Sequence, residues 1–99
     1  MTMSEILLSD QARNDLKRLE EDASLMKQLK AVRKMLAYLQ VNPRHPSLNT
    51  HKYSAIKGAH GEEVFEAYAE NNTPAAYRIF WCYGPQKHQI TIITITKHP

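Results

Sequence analysis

The apolar residues of this chain change their period partway along it, and that change decides the class of fold. Ala12, Leu16, Leu19 and Ala23 recur at steps of 4, 3 and 4, and Leu25, Leu29, Val32, Leu36 and Leu39 at steps of 4, 3, 4 and 3. Such steps return a side chain to the same helix face each turn, so each series makes a stripe that must be buried. Beyond residue 62 the runs 64–69, 76–83 and 90–96 are instead rich in β-branched and aromatic residues, the composition of strands. Helices followed by strands segregate into an α+β fold.

Local chemistry sets the boundaries. Ile6, Leu7 and Leu8 make a short apolar run that reads as an N-terminal strand, and Ser9 with Asp10 supplies a helix N-cap. Residues 22–24 break the first helical series and cap the second, which stops at Asn42 and Pro43 because proline cannot continue a helix. A coiled coil would explain the second series too, but it covers barely two heptads, so packing against a core is the expectation. Residues 42–62 hold two prolines, two glycines and three histidines and read as a loop, with 51–57 as a possible extra strand. The connectors 70–74 and 84–88 have turn composition and hairpin length. The expected architecture is an N-terminal strand and a two-helix hairpin packed on a three- to four-stranded antiparallel sheet, in one domain spanning 1–99.

Alternation separates the two faces of that sheet. Phe65, Ala67, Ala69, Tyr77, Ile79, Trp81, Ile93 and Ile95 should take the helices, if no bulge intervenes. Glu66, Tyr68, Arg78, Phe80, Cys82, Thr94, Thr96 and His98 then share the other face, where ionisable groups beside exposed apolar ones suggest binding. Trp81 reads as core and Cys82 as a small strand filler.

Several classes are excluded or disfavoured. One cysteine permits neither an intramolecular disulfide nor a cysteine-cluster zinc site. His45, His51 and His60, spaced by 6 and 9, match no standard metal site, and no metal is expected. No apolar run approaches the roughly 18 residues of a membrane span, and the opening MTMSEILLSDQ lacks a secretion signal, so a cytoplasmic protein is expected.

The net charge of +3 conceals a segregation. All ten acids fall in two windows: residues 1–22 hold six against three bases, and 62–70 hold four and no base. Residues 23–61 carry seven Lys or Arg and no acid, and 71–99 carry three and no acid. Unless folding interleaves the segments, one side of the body attracts a polyanion. Lys27, Lys30 and Lys34 share a helix face, and Arg44, Lys52 and Lys57 follow in the loop. They are candidate phosphate contacts, or simply a solvated helix face.

If the polyanion is RNA, its 2′-hydroxyl can attack the neighbouring phosphate without a cofactor. The protein must then accept a proton, hold the phosphate oxygens and protonate the leaving 5′-oxygen. Arg78 suits the phosphate, because a guanidinium fork binds its oxygens bidentately; a structural ion pair with Glu66 is the competing role. His98 can serve as acid or base, or be a terminal residue without a role. Glu66 is the nearest candidate base, and Tyr68 can stack or donate a hydrogen bond.

This order of elements, with NPRHPSLNTHKYSAIKG, AAYRIFWCYG and the ending ITIITITKHP, resembles the RelE/ParE superfamily of toxins from bacterial type II toxin–antitoxin pairs across nearly the whole chain. The closest matches are Tyr77-Arg78 opening the penultimate strand and the last strand running into His98. The resemblance implies an mRNA interferase, a metal-independent endoribonuclease acting on mRNA at the ribosome. Arg78 would then sit on the phosphate, His98 would move protons, and Lys52 and Lys57 would face RNA. Many family nucleases carry Arg or Lys where this chain reads VFEAYAE, so His51, Glu66 or Tyr68 would take over catalytic work here. A ParE-type inhibitor of DNA gyrase and a non-catalytic member that binds a partner are the alternatives. The resemblance also implies a cognate antitoxin wrapping Phe80, Ile90 and Ile92 on the open sheet face and covering Arg78.

Overall fold

The structure, a computed structural model, describes residues 3–69 and 76–97. The chain enters as strand β1 (Glu5–Leu8) and turns at Ser9, whose Oγ accepts the Ala12 N–H at 3.0 Å and starts helix α1 (Asp10–Glu21). Asp22 leaves the helix in an extended conformation and accepts the Ser24 N–H at 2.9 Å, opening a 3-10 turn (Ala23–Leu25) that runs into helix α2 (Met26–Val41). Asn42 and Pro43 end α2, as the sequence leads one to expect. A second short turn, Pro46–Leu48, buries Leu48 completely.

Strands β2 (His51–Lys57), β3 (Glu63–Tyr68), β4 (Tyr77–Tyr83) and β5 (Gln89–Lys97) follow as an antiparallel meander. The possible strand at 51–57 is thus real. The sheet is five-stranded and mixed, in the order β1-β5-β4-β3-β2, because β1 joins parallel to β5. Its helix-facing side buries Ala67, Ile79, Trp81, Ile90, Ile92 and Ile95 against Ala12, Leu19, Leu29, Val32, Met35 and Leu39 of the helices. Both helical series therefore serve one core, which removes the coiled-coil reading. Among the described residues no helix is long and apolar enough to cross a membrane.

One bulge corrects the face assignment. Phe80 is opposite Thr94 but Trp81 is opposite Ile92, so Ile93 is the extra residue and the alternation of β5 changes phase there. Ile90 and Ile92 are fully buried in the helix-facing core, whereas Ile93 leaves it and lines a cavity with Cys82 on the other side. Ile90 and Ile92 therefore do not offer an open face to an antitoxin. Phe80 does not either: it is 4% exposed, covered by the Tyr53 ring at 4.7 Å and by the Arg78 guanidinium at 4.9 Å. Val64 and Cys82 are buried as well, and the β2–β3 turn borders the Cys82 cavity, so the second face has its own small core.

Candidate active site

Strand pairing assembles the site on that second face. Tyr68 lies opposite Arg78, Glu66 opposite both Phe80 and His51, and Thr96 opposite Arg78. Directly paired residues point to the same side of a sheet. Glu66, Tyr68, Arg78 and His51 thus converge from three strands, although 27 positions separate the first of them from the last along the chain, from His51 to Arg78.

The contacts are specific. Arg78 Nη1 meets Glu66 Oε2 at 2.7 Å, and the two side chains are 19% and 8% exposed. Tyr68 Oη donates to the other carboxylate oxygen, Oε1, at 3.2 Å, and the His51 ring stands edge-on to Tyr68 with centroids 6.2 Å apart. Burial, followed by the Glu66 charge and the hydrogen bond to it, raises the Tyr68 pKa above its ordinary 10, against an opposing pull from Arg78. Tyr68 therefore stays a protonated donor at neutral pH. Arg78 rests over Phe80 and engages Glu66 through Nη1, while its buried Nε has no hydrogen-bond partner among the described residues. A monodentate pair of this kind leaves part of the guanidinium fork uncommitted.

The structure thus realises the Arg78–Glu66 pair that competes with the phosphate role, and it gathers four of the five catalytic candidates. His98 lies outside the described residues. The basic candidates divide. Lys27, Lys30 and Lys34 are exposed on α2, which packs on the opposite side of the sheet, so they are not brought to Arg78. Lys52 neighbours His51 on β2 but pairs with Phe65, which puts it on the helix side; Lys57 is exposed at the far end of β2. Arg44 follows α2 and is exposed.

The described acids of 62–70, Glu62, Glu63 and Glu66, an odd feature for a polyanion binder, have local employment. Glu62 accepts the His60 N–H at 2.8 Å across the β2–β3 turn, and its own backbone N–H, followed by that of His60, holds its pKa below the ordinary carboxylate value. Glu63 pairs with Lys52 at 3.2 Å, and Glu66 holds Arg78.

One supporting residue escaped the sequence reading. Asp15 is 8% exposed and accepts from Thr94 Oγ1 at 2.7 Å, Ile95 N–H at 2.9 Å and Gln11 Nε2 at 2.8 Å. β1 stops pairing at Ile92, and beyond that point Ser9 Oγ, donating to the Ile93 carbonyl, and Asp15 stand in for the missing strand. They hold the half of β5 that leads to Thr96 beside Arg78. The sequence signal was a carboxylate three residues from Ala12 and four from Leu19, on the apolar stripe of α1. Among the described residues no group of three or more metal-ligating side chains is close enough to hold an ion.

The architecture defines a class: it is the fold of the RelE/ParE-like toxins. No family model and no curated sequence matches the chain. Among solved structures, a YoeB/ParE toxin from Agrobacterium tumefaciens superposes with a TM-score of 0.69 at 8% identity, covering 96% of this chain and 99% of its own. The archaeal RelE–RelB complex from Pyrococcus horikoshii OT3 matches with 0.63 at 13% identity, covering 98% of this chain and 96% of its own. YafQ from E. coli strain BL21(DE3) matches with 0.59 at 17%, covering 96% and 93%. At such identities the likeness carries the fold, and the chemistry has to be argued from residues.

Proposed function

We propose that this chain is the toxin of a type II toxin–antitoxin pair and that it cleaves mRNA at the ribosome, in the cytoplasm, as a metal-independent endoribonuclease. The observation that carries this reading is the enclosed Arg78, held by a carboxylate through one nitrogen with its Nε uncommitted, among three groups able to exchange protons. A phosphodiester arriving on that face replaces Glu66 as the partner of Arg78, whose fork then spans two phosphate oxygens and stabilises the charge of the five-coordinate phosphorus. Glu66, released from the ion pair, accepts the 2′-hydroxyl proton. The 2′-oxygen bonds to phosphorus, the bond to the 5′-oxygen breaks, and Tyr68 or His51 protonates that oxygen. The products are a 2′,3′-cyclic phosphate and a 5′-hydroxyl. By its resemblance to the family position, His98 is a third candidate for the proton to the leaving oxygen.

The archaeal neighbour is a RelE–RelB complex, which supports a cognate antitoxin as the resting partner here. The antitoxin silences the site by covering Arg78 rather than by seating on Ile90 and Ile92, which are core.

Induced expression in a susceptible host, with mapping of newly formed mRNA 5′ ends, tests the assignment. The wild type should arrest translation and cut mRNA. Arg78→Lys, which keeps the charge facing Glu66 and loses the fork, should cut at least 100-fold less, a loss of about 2.7 kcal/mol of transition-state stabilisation. His98→Ala tests His98 against Tyr68 and His51 as the acid. Full toxicity in Arg78→Lys and Arg78→Ala would overturn the nuclease reading. DNA damage preceding any arrest of translation would replace it with gyrase inhibition.

A further inference from the structure

A second concavity lies on the other face of β3 and β4, where the helices run out. It has a volume of about 590 Å³, within the range of small-molecule sites. The turn after α2 supplies Arg44, His45 and Thr50, and the strands supply Phe65, Trp81 and Tyr83. The three rings form a packed aromatic wall: Phe65 and Trp81 stack at 4.9 Å, and Tyr83 stands edge-on to them at 5.7 and 4.9 Å. Tyr83, the last residue of β4, finishes this cluster and is 47% exposed.

Lys52 also lines the cavity and pairs with Glu63 at 3.2 Å, but the other polar groups around that wall are underused. The Arg44 side chain makes no ion pair or hydrogen bond among the described residues. Thr50 Oγ1 and Trp81 Nε1 are buried without hydrogen-bond partners among those residues. His45 Nδ1 accepts the Ser47 N–H at 3.1 Å, so a neutral ring carries its hydrogen on Nε2. His45 also stacks on Tyr38 at 4.2 Å, and Lys34 lies 5.8 Å from the Tyr38 centroid, continuing a basic and aromatic line up α2.

From this combination we infer that the cavity is a nucleotide subsite for single-stranded RNA, in which a base stacks on Tyr83 and its phosphate pairs with Arg44. An exposed ring face beside an unneutralised guanidinium is the chemistry that grips an unpaired nucleotide; an acidic peptide would use the cation and leave the aromatic wall idle. The site deepens the RNA-directed reading proposed above. His51 and Lys52 are adjacent on β2, the edge strand, and face opposite sides of the sheet. A strand draped over that edge places one nucleotide at Arg78 and a flanking one in the cavity. The subsite therefore selects RNA by what flanks the cut.

The test uses the full chain carrying Arg78→Ala, which cannot cut, and a fluorescein-labelled 12-nucleotide single-stranded RNA followed by anisotropy. Tyr83→Ala should weaken binding about tenfold, from the loss of one stacked base, and Tyr83→Phe should restore it. Arg44→Gln should weaken binding severalfold and reduce the salt slope by about one. Lys17→Gln on α1 should change nothing. Binding equal to the parent in both Tyr83→Ala and Arg44→Gln would overturn the subsite, as would AMP binding no more weakly than the oligonucleotide. Cleavage in cells is read separately. If mRNA is cut but Tyr83→Ala binds normally, only the subsite fails; if RNA binds through Tyr83 but is never cut, only the nuclease reading fails.

Discussion

The two faces of strands β3 and β4 are built from alternate residues of the same short segments, yet they are held together differently. The helix side stacks Phe65, Ala67, Ile79 and Trp81 against two helices and depends on apolar packing. The opposite side sets Glu66, Tyr68, Arg78 and Phe80 in a connected array of charge, hydrogen bonds and rings. Packing is sensitive to changes of shape and volume, because deleted atoms leave a cavity. The polar array depends on each member having its partner, because an unpaired buried charge is costly. One strand can therefore supply stability on one side and chemistry on the other, with little overlap.

The sharpest way to break this comparison is to mutate neighbours in β4. Ile79→Ala, at a fully buried position, should cost about 2–5 kcal/mol and lower Tm by roughly 10 °C or more, while activity per folded molecule survives. Arg78→Lys should do the reverse. Calorimetry beside a cleavage assay reads both, and a large activity loss in folded Ile79→Ala would show that the faces are not separable.

Asp15 tests whether the Arg78 site depends on support from the helix side. Asp15→Ala leaves the Ile95 N–H and Thr94 hydroxyl without their acceptor, at a cost of about 2–3 kcal/mol. Hydrogen exchange should show the amide of Ile95 losing protection far more than that of Ile79. Uniform loss across the sheet would mean that Asp15 contributes general stability rather than anchoring the second half of β5.

What could be read from the sequence follows the range of the interactions. Ser9, Asp22, Asn42 and Pro43 mark their boundaries through contacts within a few residues, and the helical steps of 3 and 4 report burial directly. The pairing of β1 with β5 joins residues about 84 positions apart, and nothing local encodes it. The bulge left a trace that simple alternation overrode: Ile90 and Ile92 keep one phase, Ile93 and Ile95 the other, and the Ile92-Ile93 doublet marks the switch. At the site, Arg78 and Glu66 stood out as complementary charges on adjacent strands. The cavity around Tyr83 did not, because its wall comes from three separate elements and its residue types read individually as core or loop.

Glu66→Gln sharpens the comparison by removing charge while keeping shape. The amide can still accept from Arg78, so the fold should lose only about 1–3 kcal/mol. The guanidinium, relieved of its counter-ion, should bind inorganic phosphate about fivefold more tightly, read as a larger rise of Tm with added phosphate than in the wild type. Equal phosphate responses would mean that the pair is purely structural. The same variant should lose cleavage, since Glu66 is the proposed base.

The smallest effect concerns Tyr68. Tyr68→Phe removes one hydrogen bond to Glu66 and should cost about 1 kcal/mol. Its value lies in the pH dependence. Burial and the Glu66 charge raise the phenol's pKa above 10, so the folded protein holds this proton more tightly than the unfolded chain does. The corresponding stability is fully present below pH 10 and declines as the pH rises through the folded value. Denaturant titrations of the wild type should fall between pH 9 and pH 11 by more than those of Tyr68→Phe, whose ring has nothing to ionise. Parallel curves would place the phenol in water-like surroundings and weaken the case for Tyr68 as the acid, leaving His51 and His98 to protonate the leaving oxygen.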